Sequence, residues 1–159
     1  MPKEPKEMND EEVQRRIITL GFGGDSNLFQ TFCECLKSDL PENTAVALRG
    51  SVITDERYED GKPFDADGER TSDLDVTLIG NQVMDYWDEG EFYIPKFHTK
   101  PLSDKAQEIA PELNPLRLKL QQMVNRPVNF QATSNIILFA REVLMDQPYF
   151  IILEHEENP

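Results

Sequence analysis

Sulfur and imidazole are scarce in this chain of 159 residues, which has two cysteines and two histidines. Cys33 and Cys35 lie two positions apart on a stretch with helical periodicity and so point to different sides, which suggests neither a disulfide framework nor a zinc site. His98 and His155 are far apart without ligand-spaced companions and read as ordinary surface or loop residues. No grouping of Ser, His and Asp suggests acyl transfer. No apolar run approaches the roughly 20 residues needed to cross a bilayer, and the opening MPKEPKEMNDEE is too charged for a secretory signal. The expectation is a protein of the reducing cytoplasm without a membrane partner. Positive charge is short as well: 16 Lys and Arg stand against 30 Asp and Glu, a net charge of −14. That balance argues against broad nucleic-acid binding, which depends on neutralising phosphates with basic side chains. The one local basic cluster, Arg117, Lys119 and Arg126, reads as a solvated helix face.

What the chain does have is alternation. Hydrophobic residues make up 38% of it, interleaved with charge and not segregated from it. Its length suits a single domain that buries about two-thirds of its unfolded surface. Residues 1–8 read as a flexible tail and 9–159 as one domain. Asn9 or Asp10 offers a cap for a helix with Val13, Ile17 and Leu20 on one face. Gly21, Gly23 and Gly24 end it, and Asp25 opens a second helix through Leu28, Phe29, Phe32, Cys33 and Leu36. The Gly-rich stretch between them reads as a helix break, because no strand precedes it as a phosphate loop requires. TAVAL, 44–48, reads as a buried strand, and Asp73–Ile79 as a second with Leu74, Val76 and Leu78 on one face. Helical stretches are expected around Val83–Trp87 and from Leu113 to Met123, then a strand from Val128 to Thr133. A last helix with Ile136, Ala140, Val143 and Leu144 as its buried stripe leads to a strand at Tyr149–Leu153. The class is α+β: a small mixed sheet flanked by helices.

Chemistry concentrates at two points. Asp73 and Asp75, two apart on a strand, project to the same side about 7 Å apart, a spacing that can bracket a divalent cation. Gly50 and Ser51 close the TAVAL strand, where small residues let backbone N–H groups approach phosphate and Ser51 adds a hydroxyl. The connection between them is rich in Asp, Glu and Gly and reads as a wet surface loop. Its Asp65-Ala66-Asp67-Gly68 fails the calcium-loop template, because the glycine comes too early and the twelfth position is Val76.

Taken together, the strand ending in Gly50-Ser51 and the phrase Thr71-Ser72-Asp73-Leu74-Asp75-Val76 on the next strand resemble the nucleotidyltransferase superfamily that includes DNA polymerase beta and the small stand-alone nucleotidyltransferases. The resemblance runs more loosely from Thr44 to the last helix. It implies that Asp73 and Asp75 bind Mg2+ or Mn2+, that Gly50 and Ser51 hold the phosphates of a nucleoside triphosphate, and that Ser72 orients the Asp pair. By charge, Arg57, Lys62 or Arg70 are candidates to reach the triphosphate.

Two departures accompany it. Asp73 follows Ser51 by 22 positions, a longer connection than compact members use. Where the family places a third carboxylate stands Asn129, which is uncharged and accepts no proton as a base. Glu154, on the neighbouring final strand, is a candidate to substitute. The expected activity is metal-dependent transfer of a nucleoside monophosphate to a protein or small-molecule acceptor, with a homodimer or partner protein completing the site. The alternative is a module that binds nucleotide or a protein partner without transfer.

Overall fold

The computed structural model describes residues 3–57, 59–142 and 147–154. Asn9 accepts a hydrogen bond from the Glu12 N–H at 2.8 Å and the Glu12 carboxylate takes the Asn9 N–H, so α1 (Asp10–Gly21) starts in a capping box with an acidic first turn. Asp25 caps α2 (Ser26–Asp39) through the Leu28 N–H. Ahead of them Pro5–Glu7 form a 3-10 turn, and the Lys3 carbonyl accepts from Arg16 at 2.7 Å. Then follow β1 (Ala45–Arg49), α3 (Ser51–Thr54), β2 (Leu74–Ile79), α4 (Asn81–Met84), β3 (Phe92–Ile94) and β4 (His98–Thr99). The remainder is α5 (Asn114–Val124), β5 (Val128–Thr133), α6 (Ile136–Glu142) and β6 (Tyr149–Leu153).

The six strands form one sheet in the order β3-β4-β5-β2-β1-β6. β2 and β5 pair in parallel and the other neighbours antiparallel. A mixed α+β architecture is therefore present, with six α-helices among the described residues. Its sheet is larger than the sequence suggested by the β3–β4 hairpin, whose strands of three and two residues are too short to show a period.

Alternation decides which face is wet. Val46, Leu48, Leu74, Val76, Leu78, Val128, Phe130 and Ala132 are all fully buried, in one core with Ile17, Phe32, Leu36 and Leu120 of the helices. Each such side chain contributes about 1.5–3 kcal/mol by leaving water. The α1 terminus packs so closely that a Cβ on Gly21 would come within 3.0 Å of Leu74. On the opposite face Ala47, Arg49, Asp75, Thr77, Asn129 and Gln131 line up, and α6 covers part of it through Phe139, which is fully buried.

That second layer changes the reading of His98. It is buried, its Nδ1 lies 2.8 Å from Thr133 Oγ1, and its ring is 5.2 Å from that of Phe139. A histidine expected at the surface is a core residue, because β4 carries it inward between β3 and β5. Val143, Leu144 and His155 lie outside the described residues. Among the described residues no helix is long and apolar enough to cross a membrane.

The basic cluster also divides. Arg117 is fully buried, pairs with Asp104 at 3.0 Å and donates to the Val128 carbonyl; Arg126 is buried against the connection between α3 and β2. Only Lys119 of the three is a solvated helix residue, held loosely by Asp39 at 3.7 Å. The partners that pull Arg126 inward are distant in sequence, whereas Arg117 combines Asp104 and the Val128 carbonyl with Asn114 and Gln121 of its own helix.

Candidate functional site

The antiparallel pairing of β1 with β2 sets Arg49 opposite Asp75, and the parallel pairing of β2 with β5 sets Asp75 opposite Asn129. Directly paired residues project from the same face, so Arg49, Asp75 and Asn129 form a row across three strands. Asp73 stands just before β2 on the same side. The Asn129 amide nitrogen donates to Asp73 Oδ2 at 2.9 Å and to Asp75 Oδ1 at 3.2 Å, so it spans both carboxylates. The two aspartates and Asn129 are thus brought together.

Gly50 closes β1 with φ +83° and ψ −151°, a conformation essentially confined to glycine. A Cβ there would sit 3.2 Å from Asp75 Oδ2. The turn into α3 is held from outside by Arg16, whose Nη1 donates to the Ile53 carbonyl at 2.8 Å. Gly50→Ala is therefore expected to cost about 1–3 kcal/mol in chemical denaturation through backbone strain, and to crowd Asp75 in any ligand titration.

Gly50, Ser51, Asp73 and Asp75 line one cleft of about 700 Å³, with Ser72 and Thr71 at its edge. Ser72 is nearly enclosed. Its hydroxyl accepts from the Asp65 N–H at 2.8 Å, its own N–H donates to Asp65 Oδ1 at 2.9 Å, and its carbonyl accepts from Arg126 at 3.0 Å. It therefore ties the start of β2 to the preceding connection.

That connection is largely exposed, as a wet surface loop should be, yet it is fastened at specific points and forms one wall of the cleft. Asp55 Oδ1 accepts from the Phe64 N–H, Arg57 is clasped by Asp60 and Asp67, and Asp65 receives Arg126 through both carboxylate oxygens. The Arg126 guanidinium also stacks 4.7 Å over the Phe64 ring. The acidic residues that suggested solvation are the ones that fasten it. Glu56, Arg57 and Glu59 face the cleft from this wall.

Of the three cations proposed for a triphosphate, only Arg57 lines this cleft. Lys62 is exposed on the outer turn, and Arg70 lies beside Gln121 and Asn125 in a different depression. Glu154 is also misplaced for the role suggested for it. Tyr149 of β6 pairs with Arg49 and Leu153 with Val46, so the strand runs away from the cleft before reaching Glu154.

Arg49 was not singled out from the sequence, although a charged residue at the end of an apolar strand, adjoining a Gly-Ser turn, is the signal that marks it. Its Nε donates to Thr77 Oγ1 at 3.1 Å, Nη2 to Gln131 Oε1 at 2.7 Å, and Nη1 lies 4.0 Å from Asp75 Oδ2. Gln131 passes the network on to the Thr99 carbonyl at 2.8 Å. Burial lowers the Arg49 pKa and the Asp75 charge works against that shift. Asp73 is shifted upward: partial burial raises its pKa, the Asn129 hydrogen bond opposes it, and Asp75, Asp104 and Glu59 add repulsion.

The donors suit a divalent cation of the magnesium class: two carboxylates and the Ser51 hydroxyl offer hard oxygens. The bridging Asn129 N–H₂ group marks the point where acceptors of both aspartates converge, which is the requirement for seating one positive centre between them. Among the described residues no group of three or more His, Cys, Asp or Glu is placed to share a metal ion, so the set rests on two carboxylates.

Compared with family models, curated proteins and solved structures, the chain finds no match.

Proposed function

We propose that this chain is a nucleotidyltransferase-type domain that takes a nucleoside triphosphate with Mg2+ or Mn2+ and transfers the nucleoside monophosphate to a protein or small-molecule acceptor, whose attack on the α phosphorus breaks the α–β phosphoanhydride bond and releases pyrophosphate. The observation that carries the reading is convergence: the Gly50-Ser51 turn, Asp73, Asp75 and Asn129 occupy one end of the sheet although they come from three separate parts of the chain. The Ser-Asp-x-Asp phrase and the Gly-Ser strand end resemble that superfamily, and the mixed sheet is compatible with it.

Asp73 and Asp75 would hold the cation, which when bound would stabilise charge on the phosphoryl oxygens. The chain's own groups divide the remaining work. The open turn at Gly50 admits phosphate beside Asp75, and the Ser51 hydroxyl donates to it. Arg49, pinned by Thr77 and Gln131, keeps a fixed positive charge beside Asp75. The cleft wall orients the nucleotide, and holding the acceptor in line would supply much of the acceleration as saved entropy.

Asn129 favours a second reading, in which triphosphate binds without turnover. A neutral amide takes no proton from an acceptor and adds no charge to the cation site. Incubation with α-phosphate-labelled nucleoside triphosphates and Mg2+ or Mn2+, on the protein itself and on a cell extract, separates the two. Label on an acceptor, lost in Asp73→Ala plus Asp75→Ala, is the expected result. Intact triphosphate retained without transfer supports the binding module, with Asn129→Asp then expected to gain activity; absence of metal-dependent nucleotide binding rejects both.

A further inference from the structure

The cleft wall carries a cation already engaged by carboxylates. Arg57 lines the cleft with Gly50, Ser51, Asp73 and Asp75, yet its Nε and Nη2 donate to Asp60 and its Nη1 to Asp67. The backbone presents it firmly: Arg57 N–H donates to the Lys62 carbonyl at 2.7 Å and the Gly61 N–H returns a bond to the Arg57 carbonyl at 2.8 Å. The Asp67 side chain is well exposed at 62% and Asp60 stands at 36%, so both carboxylates keep access to water. Carboxylates this open to water regain their solvation when released, which offsets much of the cost of exchanging Arg57 onto another anion. The two arginines lining the cleft are similarly sheltered, but Arg49 is bound to Thr77 and Gln131 of the sheet, whereas Arg57 is held by side chains of its own connection alone.

We propose that Arg57 is a latch: it is held by Asp60 and Asp67 while the cleft is empty and is exchanged onto the terminal phosphates of a bound triphosphate. The inference rests on the reading that this cleft takes a nucleoside triphosphate, and it names the residue that senses phosphate number. A guanidinium forks onto phosphate as well as onto carboxylate, and the polyphosphate concentrates more negative charge than either aspartate. Asp60 and Asp67 then act as competitors for Arg57 and not as supports for it. The consequence is an opposite sign for the two kinds of substitution.

The test is titration of α,β-methylene nucleoside triphosphates and the matching monophosphates, with Mg2+, by calorimetry. Wild type is compared with Arg57→Ala, with Asp60→Asn plus Asp67→Asn, and with Asp73→Ala plus Asp75→Ala; circular dichroism verifies folding. Arg57→Ala is expected to weaken triphosphate binding by about tenfold to a hundredfold, as for a lost charge-assisted contact, and to leave the monophosphate unchanged. The double asparagine variant is expected to tighten triphosphate binding by up to about fivefold, the worth of an exposed ion pair. Equal triphosphate affinity in Arg57→Ala and wild type overturns the latch while the nucleotide reading stands. Weaker binding in both loop variants also overturns it, since Asp60 and Asp67 would then be supports. No metal-dependent binding to wild type removes the nucleotide reading and the latch with it.

Discussion

Asp73→Ala is expected to weaken binding without lowering stability. Metal-dependent triphosphate retention, and any transfer, should fall by at least about 10²–10³-fold, the range for losing one preorganised electrostatic group. The folded protein should nevertheless melt no lower than wild type. The sign follows from the direction of the Asp73 shift, which burial causes first and Asp75, Asp104 and Glu59 reinforce against the Asn129 hydrogen bond. A carboxyl whose pKa is raised by folding contributes stability below its unfolded value and loses that contribution as pH rises through the folded value. Above that window the ionised Asp73 opposes folding, so removing it relieves the native state. Ligand titration and thermal melts at neutral pH check both halves. A melt lowered by several degrees would mean that Asp73 belongs to the scaffold and not to a ligand site.

Arg126→Ala should produce the largest loss of stability of any single substitution near the cleft. The guanidinium is buried, donates to both Asp65 oxygens at 2.8 and 3.1 Å and to the carbonyls of Ser72 and Leu20, and stacks on Phe64. Removing one partner of such a pair strands the other, at a cost of about 3–5 kcal/mol. For a chain of this size each kcal/mol lowers the melting temperature by about 2–4 °C, so a fall of roughly 6–20 °C is expected. The pH dependence carries the same signature. Burial alone would raise the Asp65 pKa; the hydrogen bonds from Arg126 and from the Ser72 and Arg70 backbone outweigh it, and the net shift is downward. A carboxyl depressed by folding adds stability above its unfolded pKa, near 4, and loses it as pH falls through the lower folded value. Wild type should thus lose stability on acidification across that window, and Asp65→Asn should show a flatter profile. Calorimetric melts between neutral pH and pH 3 measure it.

These two residues also show what was legible in advance. The Asp-x-Asp spacing fixed the side to which Asp73 and Asp75 project, because a strand has period two and Leu74, Val76 and Leu78 needed the other side. The caps at Asn9 and Asp25 were legible for a similar reason: an acceptor side chain followed by apolar residues at helical spacing has few other uses. Arg126 was misread because its fate depends on Asp65, 61 positions earlier, and no local pattern distinguishes an arginine bound for the interior from one bound for solvent. The connection from Thr54 to Thr71 was legible as a largely exposed loop, but composition did not reveal that Asp55, Asp60, Asp65 and Asp67 each accept from a specific group. Arg49 was overlooked because its role arises from pairing across β1, β2 and β5, which no single strand displays.

The row Arg49, Asp75, Asn129 has a consequence for how the site comes into being. Its three members are joined only by strand register, and the β2–β5 half of that register links positions 54 apart in the chain. Slipping β5 by one residue would turn Asn129 away and bring Val128 or Phe130 into its place. A parallel pair of this sequence separation must meet the loop-closure entropy of the intervening hairpin and α5. The pairing of β1 with β2 alone therefore assembles only the Gly50–Asp75 half of the cleft. Ligand competence and the docking of β5 arrive together, and a chain that has collapsed without docking β5 presents the Gly50 turn and the two aspartates with nothing between them.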